Sequence, residues 1–126
     1  MGGLNILEVT RQSKFIKSLI ITTSDKCYES KRGSKGFKEN DRLGGEDPYS
    51  ASKVSVEIML KSYQKSFFNK KKLIGASSVR SGNVIGGGDF APNRLIPDCI
   101  KSIKENKTIF LRNPNFNRPW QFVLEP

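Results

Sequence analysis

The apolar positions of this chain change period several times, and each change marks an element. Leu4, Ile6, Leu7 and Val9, with Phe15 beyond Arg11, recur near helical spacing and predict a short helix over residues 3–13. Leu19-Ile20-Ile21-Thr22-Thr23 follows as a continuous β-prone run, the pattern of a strand covered on both faces. Residues 28–47 are rich in Gly, Lys, Asp and Glu and hold no period, which predicts a long surface loop. Asp47-Pro48 then opens a helix, with an N-cap carboxylate and proline in the first turn. That helix is expected to reach about Phe68, with Val54, Ile58, Leu60, Tyr63 and Phe67 on its apolar face. A second buried strand is expected over residues 73–79, a glycine-rich segment over 81–89 and an amphipathic helix over 95–104. A short strand over 108–111 and an Asn- and Pro-rich turn over 113–118 complete the reading. The alternation of helix and strand predicts an α/β domain with a parallel sheet. Both ends read as cut, because so few parallel strands would leave edges and faces open.

Composition narrows the chemistry. The 126 residues, 36% of them hydrophobic, suffice for one small domain. No apolar run approaches membrane-spanning length and the N-terminus has no signal pattern, so a cytoplasmic protein without a membrane partner is expected. Cys27 and Cys99 have no partner cysteines at ligand spacing, so both are expected as free thiols and no metal site is expected. Histidine is absent, which removes Ser-His-Asp and Cys-His catalysis and leaves acid–base work to Tyr, Lys, Asp and Glu. A net charge of +10 suits a nucleic-acid binder, an anionic metabolite or a lysine-rich proteome. The 15 lysines and 7 arginines are scattered apart from Lys70-Lys71-Lys72, which argues against a nucleic-acid partner. A non-catalytic basic module for nucleic acid or anionic surfaces is the rival from another functional class.

Tyr49 and Lys53 lie four apart near the start of the second helix, so their side chains share a face. A tyrosine serves as a base only when its phenol falls from about 10 toward neutrality, and a nearby ammonium favours that change. The spacing also fits a partly buried tyrosine beside a solvated lysine. Ser24-Asp25 comes directly after the first strand, at the end where open α/β sheets place ligands, although an ordinary turn or cap has the same composition. Arg80-Ser81-Gly82-Asn83-Val84 occupies the corresponding position after the next strand, where the arginine and amide are suited to phosphate or cofactor oxygens. Gly86-Gly87-Gly88-Asp89 fits either close approach to an anion or a flexible turn.

Together these residues resemble the extended short-chain dehydrogenase/reductase family. Its sugar-nucleotide members place Ser or Thr after one strand, Tyr-x-x-x-Lys on the next helix and Arg-x-Gly-Asn-Val after the following strand. The likeness runs through Thr23-Ser24-Asp25-Lys26-Cys27-Tyr28-Glu29, Leu43-Gly44-Gly45-Glu46-Asp47-Pro48-Tyr49-Ser50-Ala51-Ser52-Lys53 and Gly82-Asn83-Val84-Ile85-Gly86-Gly87-Gly88-Asp89. It continues through Arg94-Leu95-Ile96-Pro97-Asp98, Arg112-Asn113-Pro114 and Arg118-Pro119-Trp120-Gln121, and so covers nearly the whole chain. The resemblance implies part of a Rossmann-like doubly wound parallel sheet, truncated at both ends. Residues 1–126 would be the central and C-terminal part of an NAD-binding domain running into the substrate-binding region.

The resemblance also implies roles. Tyr49 would take the proton of a sugar 4-hydroxyl, Lys53 would hold the ribose of NAD and lower the tyrosine pKa, and Ser24 would hydrogen-bond the 4-oxygen. Asp25 would be the acid to a departing 6-hydroxyl. Lys26 stands where many relatives have the glutamate that acts as carbon-5 base; lysine there is typical of the branch acting on CDP-glucose, and it leaves that base open. A solvated structural lysine is the plain alternative. Tyr49, Lys53, Arg80 and Asn83 are the implied cofactor contacts, and Asn83, Arg94 and Arg118 the implied nucleotide-sugar contacts. CDP-glucose is the implied substrate and a homo-oligomer the implied assembly of the full-length protein, with another nucleotide-sugar epimerase or dehydratase as the alternative. Two departures stand out: no glycine-rich dinucleotide fingerprint precedes residue 20, and Phe122 sits where relatives usually carry histidine.

Overall fold

The computed structural model describes residues 1–29, 36–72 and 74–126, with the side chains of 70–72 left out. Residues 30–35 of the expected loop and Leu73 of the expected second strand lie outside the described residues. In chain order the elements are α1 (Gly2–Gln12), β1 (Ser18–Thr22), a 3₁₀ turn (Asp25–Cys27) and α2 (Pro48–Tyr63). There follow a π-helical segment (Gln64–Lys72), β2 (Gly75–Val79), β3 (Asn83–Ile85), α3 (Leu95–Lys104) and β4 (Trp120–Phe122). The chain divides into two compact units, Met1–Ser81 and Gly82–Pro126.

The first unit pairs β1 with β2 in parallel, in register from Ser18↔Gly75 to Thr22↔Val79. Both helices expected within it form. Asp47 caps α2, accepting from the Ser50 backbone N–H at 3.0 Å and the Ser50 hydroxyl at 2.6 Å, with Pro48 in the first turn. These bonds hold the Asp47 carboxyl below its usual range, the Ser50 hydroxyl contributing most. Leu7 of α1, Leu60 of α2, Phe68, Ile74 and Ala76 form the core, and Leu19, Ile21, Met59, Tyr63 and Phe67 pack against it.

The expected end of α2 at Phe68 needs correction: the α-helical path stops at Tyr63 and widens into π geometry as far as Lys72. Phe68 is fully buried, while Phe67 meets Tyr63 edge-on at 5.2 Å, so both consecutive rings serve the core. Such widened turns accommodate side-chain demands that a regular helix does not meet. Ile58, expected on the apolar face, is exposed; the buried stripe is Ser50, Val54, Glu57 and Leu60. Nor is β1 covered on both faces: exposed and half-buried positions alternate along it and Ile20 is exposed, because only β2 pairs with it among the described residues.

The second unit pairs β3 with β4 in parallel, Asn83↔Trp120 through Ile85↔Phe122. The glycine-rich segment thus contains a short strand. Gly82 is required just before it, since a Cβ there would fall 2.7 Å from both the Pro119 ring and its carbonyl. The strand expected over 108–111 does not form. Its β-prone residues find no partner strand among the described residues, and β propensity is realised only against neighbours. The helix over 95–104 is α3, as expected.

Candidate active site

The parallel pairing of β1 with β2 brings their C-terminal ends side by side. Thr23 N–H donates to the Val79 carbonyl at 2.8 Å and Asp25 N–H to the Ser81 carbonyl at 3.0 Å, so the turn after β1 is held against the segment after β2. Ser24 is buried and caps the 3₁₀ turn, its hydroxyl accepting from Lys26 N–H at 3.3 Å and donating to the Asp25 carboxylate at 3.1 Å. Asp25 is half-buried and Lys26 exposed.

The first turns of α2 bring Tyr49 and Lys53 to this turn. Tyr49 is about half exposed, at 51%, and two ammonium groups flank its ring. Lys53 Nζ lies 5.8 Å and Lys26 Nζ 5.9 Å from the ring centroid. One of these cations comes from the tyrosine's own helix and the other from the turn after β1. Among the described residues no carboxylate pairs with either lysine, so their N–H groups are available to a ligand. A phenol near two cations, one of them from the turn that carries Ser24 and Asp25, can move a proton and stabilise the resulting oxyanion.

Arg80 departs from what the sequence suggests. Its Nε donates to Glu57 Oε1 at 2.8 Å, its second terminal nitrogen donates to Glu57 Oε2, and the remaining one donates to the Glu39 carbonyl at 3.1 Å. The guanidinium also lies over the Tyr28 ring at 4.7 Å, and that ring stacks on Phe37. Every guanidinium nitrogen of Arg80 is thus engaged within the protein. Glu57, which accepts from it, is 7% exposed and also accepts from the Thr23 hydroxyl at 2.6 Å. Burial works to raise the Glu57 carboxyl, but the bonds from Arg80 and Thr23 overcome it and leave the group below its ordinary value. The bonds to Glu57 in turn raise the Arg80 guanidinium above its ordinary value. Cys27, a free thiol as expected, is fully buried, and burial pushes its pKa up.

Sequence reasoning overlooked Glu57, although a signal was present. It lies three residues from Val54 and three from Leu60, a carboxylate in the buried stripe of α2, and a buried acid needs a partner. A cavity of about 420 Å³ opens beside it, lined in part by Leu43, Lys61, Gln64 and Arg80. Tyr49, Lys53, Ser24 and Asp25 do not line that cavity.

Asn83, Arg94 and Arg118 belong to the second unit. Asn83 is half-buried at the start of β3, its N–H donating to the Pro119 carbonyl at 2.8 Å, so the β3–β4 pairing draws Asn83 and Arg118 to one end. Arg94 precedes α3, and both arginines are exposed. Phe122 is an exposed member of β4.

Residues 1–125 match the NAD dependent epimerase/dehydratase family. The chain belongs to that family. Among curated members of the epimerase/dehydratase family it is similar to the CDP-glucose 4,6-dehydratase of Salmonella typhimurium LT2, with 46% identity over 130 residues. That match takes in 100% of this chain but only 36% of the relative's length. The structure is similar to dTDP-glucose 4,6-dehydratase from Bacillus anthracis in complex with NAD, with a TM-score of 0.84 and 27% identity over 98% of this chain and 38% of that one. UDP-N-acetylglucosamine 4-epimerase from Methanobrevibacter ruminantium shares the fold at a TM-score of 0.82 and 24% identity, covering 96% of this chain and 38% of that one. The family's mixed α/β architecture, with parallel strands of the Rossmann-like kind, is therefore the architecture of this chain. Among the described residues no helix is long and apolar enough to cross a membrane.

Proposed function

We propose that this chain carries the proton-transfer centre of an NAD-dependent 4,6-dehydratase acting on CDP-glucose. The supporting observation is the convergence of Lys53 and Lys26 on the Tyr49 ring beside Ser24-Asp25, in a chain 46% identical to a CDP-glucose 4,6-dehydratase. Lys26 favours this substrate, and the dTDP-glucose dehydratase and UDP-N-acetylglucosamine epimerase structures share less sequence with the chain, at 27% and 24% identity.

Tyr49 accepts the proton of the sugar 4-hydroxyl. Ser24, whose hydroxyl is already oriented by the 3₁₀ turn, hydrogen-bonds the 4-oxygen. Once carbon 4 is a ketone the carbon-5 proton is acidic; a general base takes it while Asp25 protonates the departing 6-hydroxyl, so that water leaves across carbons 5 and 6, and Lys26 stands where many relatives carry that base. The donor set suits NAD: Lys53, half-buried and without a carboxylate partner among the described residues, offers N–H groups to ribose hydroxyls, and Tyr49 lies beside it. When bound, NAD supplies the hydride chemistry, removal from carbon 4 and return to carbon 6. Asn83 is assigned to cofactor and sugar, and Arg94 and Arg118 to the diphosphate, where each guanidinium can donate two parallel bonds. Arg80 is moved from the cofactor contacts to the support of the site.

The same reading makes residues 1–126 the central and C-terminal part of an NAD-binding domain entering the substrate-binding region, within a cytoplasmic homo-oligomer. Incubating the full-length protein with CDP-glucose and NAD, and following the alkali-dependent absorbance of a 4-keto product, tests the function. Turnover of CDP-glucose in preference to dTDP- and UDP-sugars is expected; equal or better turnover of those sugars would shift the substrate assignment.

A further inference from the structure

Tyr49, Lys53 and Glu57 follow one another at intervals of four along α2, so the two site residues and the buried carboxylate share one side of the helix. Besides the Cys27 thiol in the 3₁₀ turn, the Glu57 carboxylate reaches two other parts of the first unit. One is Thr23, the residue immediately before Ser24-Asp25-Lys26, through a 2.6 Å bond from its hydroxyl. The other is Arg80, at the end of β2, through two bonds from the guanidinium. Arg80 in turn fixes the Glu39 carbonyl and covers Tyr28.

A buried ion pair contributes little net stability over a well-packed apolar pair, because both charges must be stripped of water. Its effect here is geometric. The carboxylate ties the helix that carries Tyr49 and Lys53 to the turn that carries Ser24, Asp25 and Lys26, and it does so from the face on which these groups converge.

We propose that Glu57 is a positioning residue that sets the distance between Tyr49 and the Ser24–Asp25 turn, acting through the Thr23 hydroxyl. The proposal rests on the dehydratase reading, but its central link can be tested without turnover. Removing the Thr23 hydroxyl takes away the Thr23 branch of this link, together with its 3.2 Å bond to the Val79 carbonyl, and leaves the Glu57–Arg80 pair and the Cys27 contact in place, so Thr23→Val is the informative variant. Misplacing a reacting group by about 1 Å can cost 10²-fold.

In the full-length protein, Thr23→Val is expected to lower kcat about tenfold while KM for CDP-glucose stays within about twofold, the pattern of a lost transition-state alignment. Thr23→Ser, which keeps the hydroxyl, is expected to restore kcat. In the ligand-free protein, Thr23→Val is expected to speed amide exchange at Asp25–Cys27 while amides in the middle of α2 keep their protection. In active protein the proposal requires all three results. An unchanged kcat, a failure of Thr23→Ser to restore it, or exchange that rises equally through α2 and the core overturns it. If Thr23→Val does not fold, Thr23→Ala takes its place with the same readings. A wild-type protein inactive on CDP-glucose would remove the substrate assignment alone, and the exchange experiment would then decide the positioning role.

Discussion

Met1–Ser81 and Gly82–Pro126 are both built from helices and parallel strand pairs, yet only the first has an interior. Leu7, Leu60 and Phe68 are 2% exposed or less, and a buried Glu57–Arg80 pair stands beside them. In Gly82–Pro126 no described residue is buried; Ile96, Ile100 and Ile103 of α3 are all exposed, as are Phe110 and Phe116. The same secondary structure therefore has different consequences. In the first unit a packed core underlies the helix that carries Tyr49 and Lys53, whereas in the second the strand pairing orders Asn83 and Arg118.

The strongest test of this contrast is chemical. Tyr49→Phe in the full-length protein is expected to lower kcat by about 10²- to 10⁴-fold without loss of folded protein, as removal of an acid–base group does. Arg118→Ala, in the second unit, is expected to act mainly on KM. Steady-state kinetics on both variants separates the roles, and a Tyr49→Phe enzyme with near wild-type kcat would break the comparison.

Next in size is packing. Phe68→Ala should cost about 3–5 kcal/mol in denaturant unfolding, the range for deleting a fully buried phenylalanine. Phe110→Ala, at a position 85% exposed, should stay within about 0.5 kcal/mol.

Acid should then weaken the first unit through its paired carboxylates. Glu57 has its folded pKa lowered, so its contribution is present above the ordinary carboxylate value of 4.5 and is lost as pH falls through the lower folded value. Glu8 behaves alike: the Arg11 guanidinium, then the Tyr63 hydroxyl, hold it at about 2, so its share disappears between 4.5 and about 2. Unfolding followed at stepped pH should show stability declining through that window, and Glu57→Gln should flatten part of the decline. The smallest expected effect is Asp47→Ala, which removes a helix cap and should lower Tm by less than Phe68→Ala does.

The features legible in the sequence are those set within a few residues. The Asp47-Pro48 start of α2 and the shared face of Tyr49 and Lys53 follow from local periodicity, and α1 and α3 from theirs. The position after β1 pointed to Ser24 and Asp25, family resemblance added Lys26, and the structure brings Lys26 and Tyr49 together. Features that depend on distant partners were hidden. Arg80 looked like a ligand for oxygen because its neighbours matched a motif, but its partner Glu57 lies 23 residues away on another element. Residues 108–111 had strand composition but no strand beside them, while the short Asn83–Ile85 and Trp120–Phe122 strands depend on each other across the intervening helix. Exposure of β1 was invisible for the same reason: an apolar run predicts burial only when something is present to cover it.

The Glu57–Arg80 pair has a consequence for folding as well as for chemistry. β2 reads Gly-Ala-Ser-Ser-Val, small residues with little contrast between its two faces, and such a strand specifies its pairing weakly. A slip of one residue against β1 would turn Arg80 to the opposite face of the sheet and leave Glu57 buried without its cation. An uncompensated buried charge is strongly destabilising. The ion pair thus acts as a proofreader: shifted pairings of β1 and β2 are penalised, and the retained one is the alignment in which Thr23 and Val79 end together.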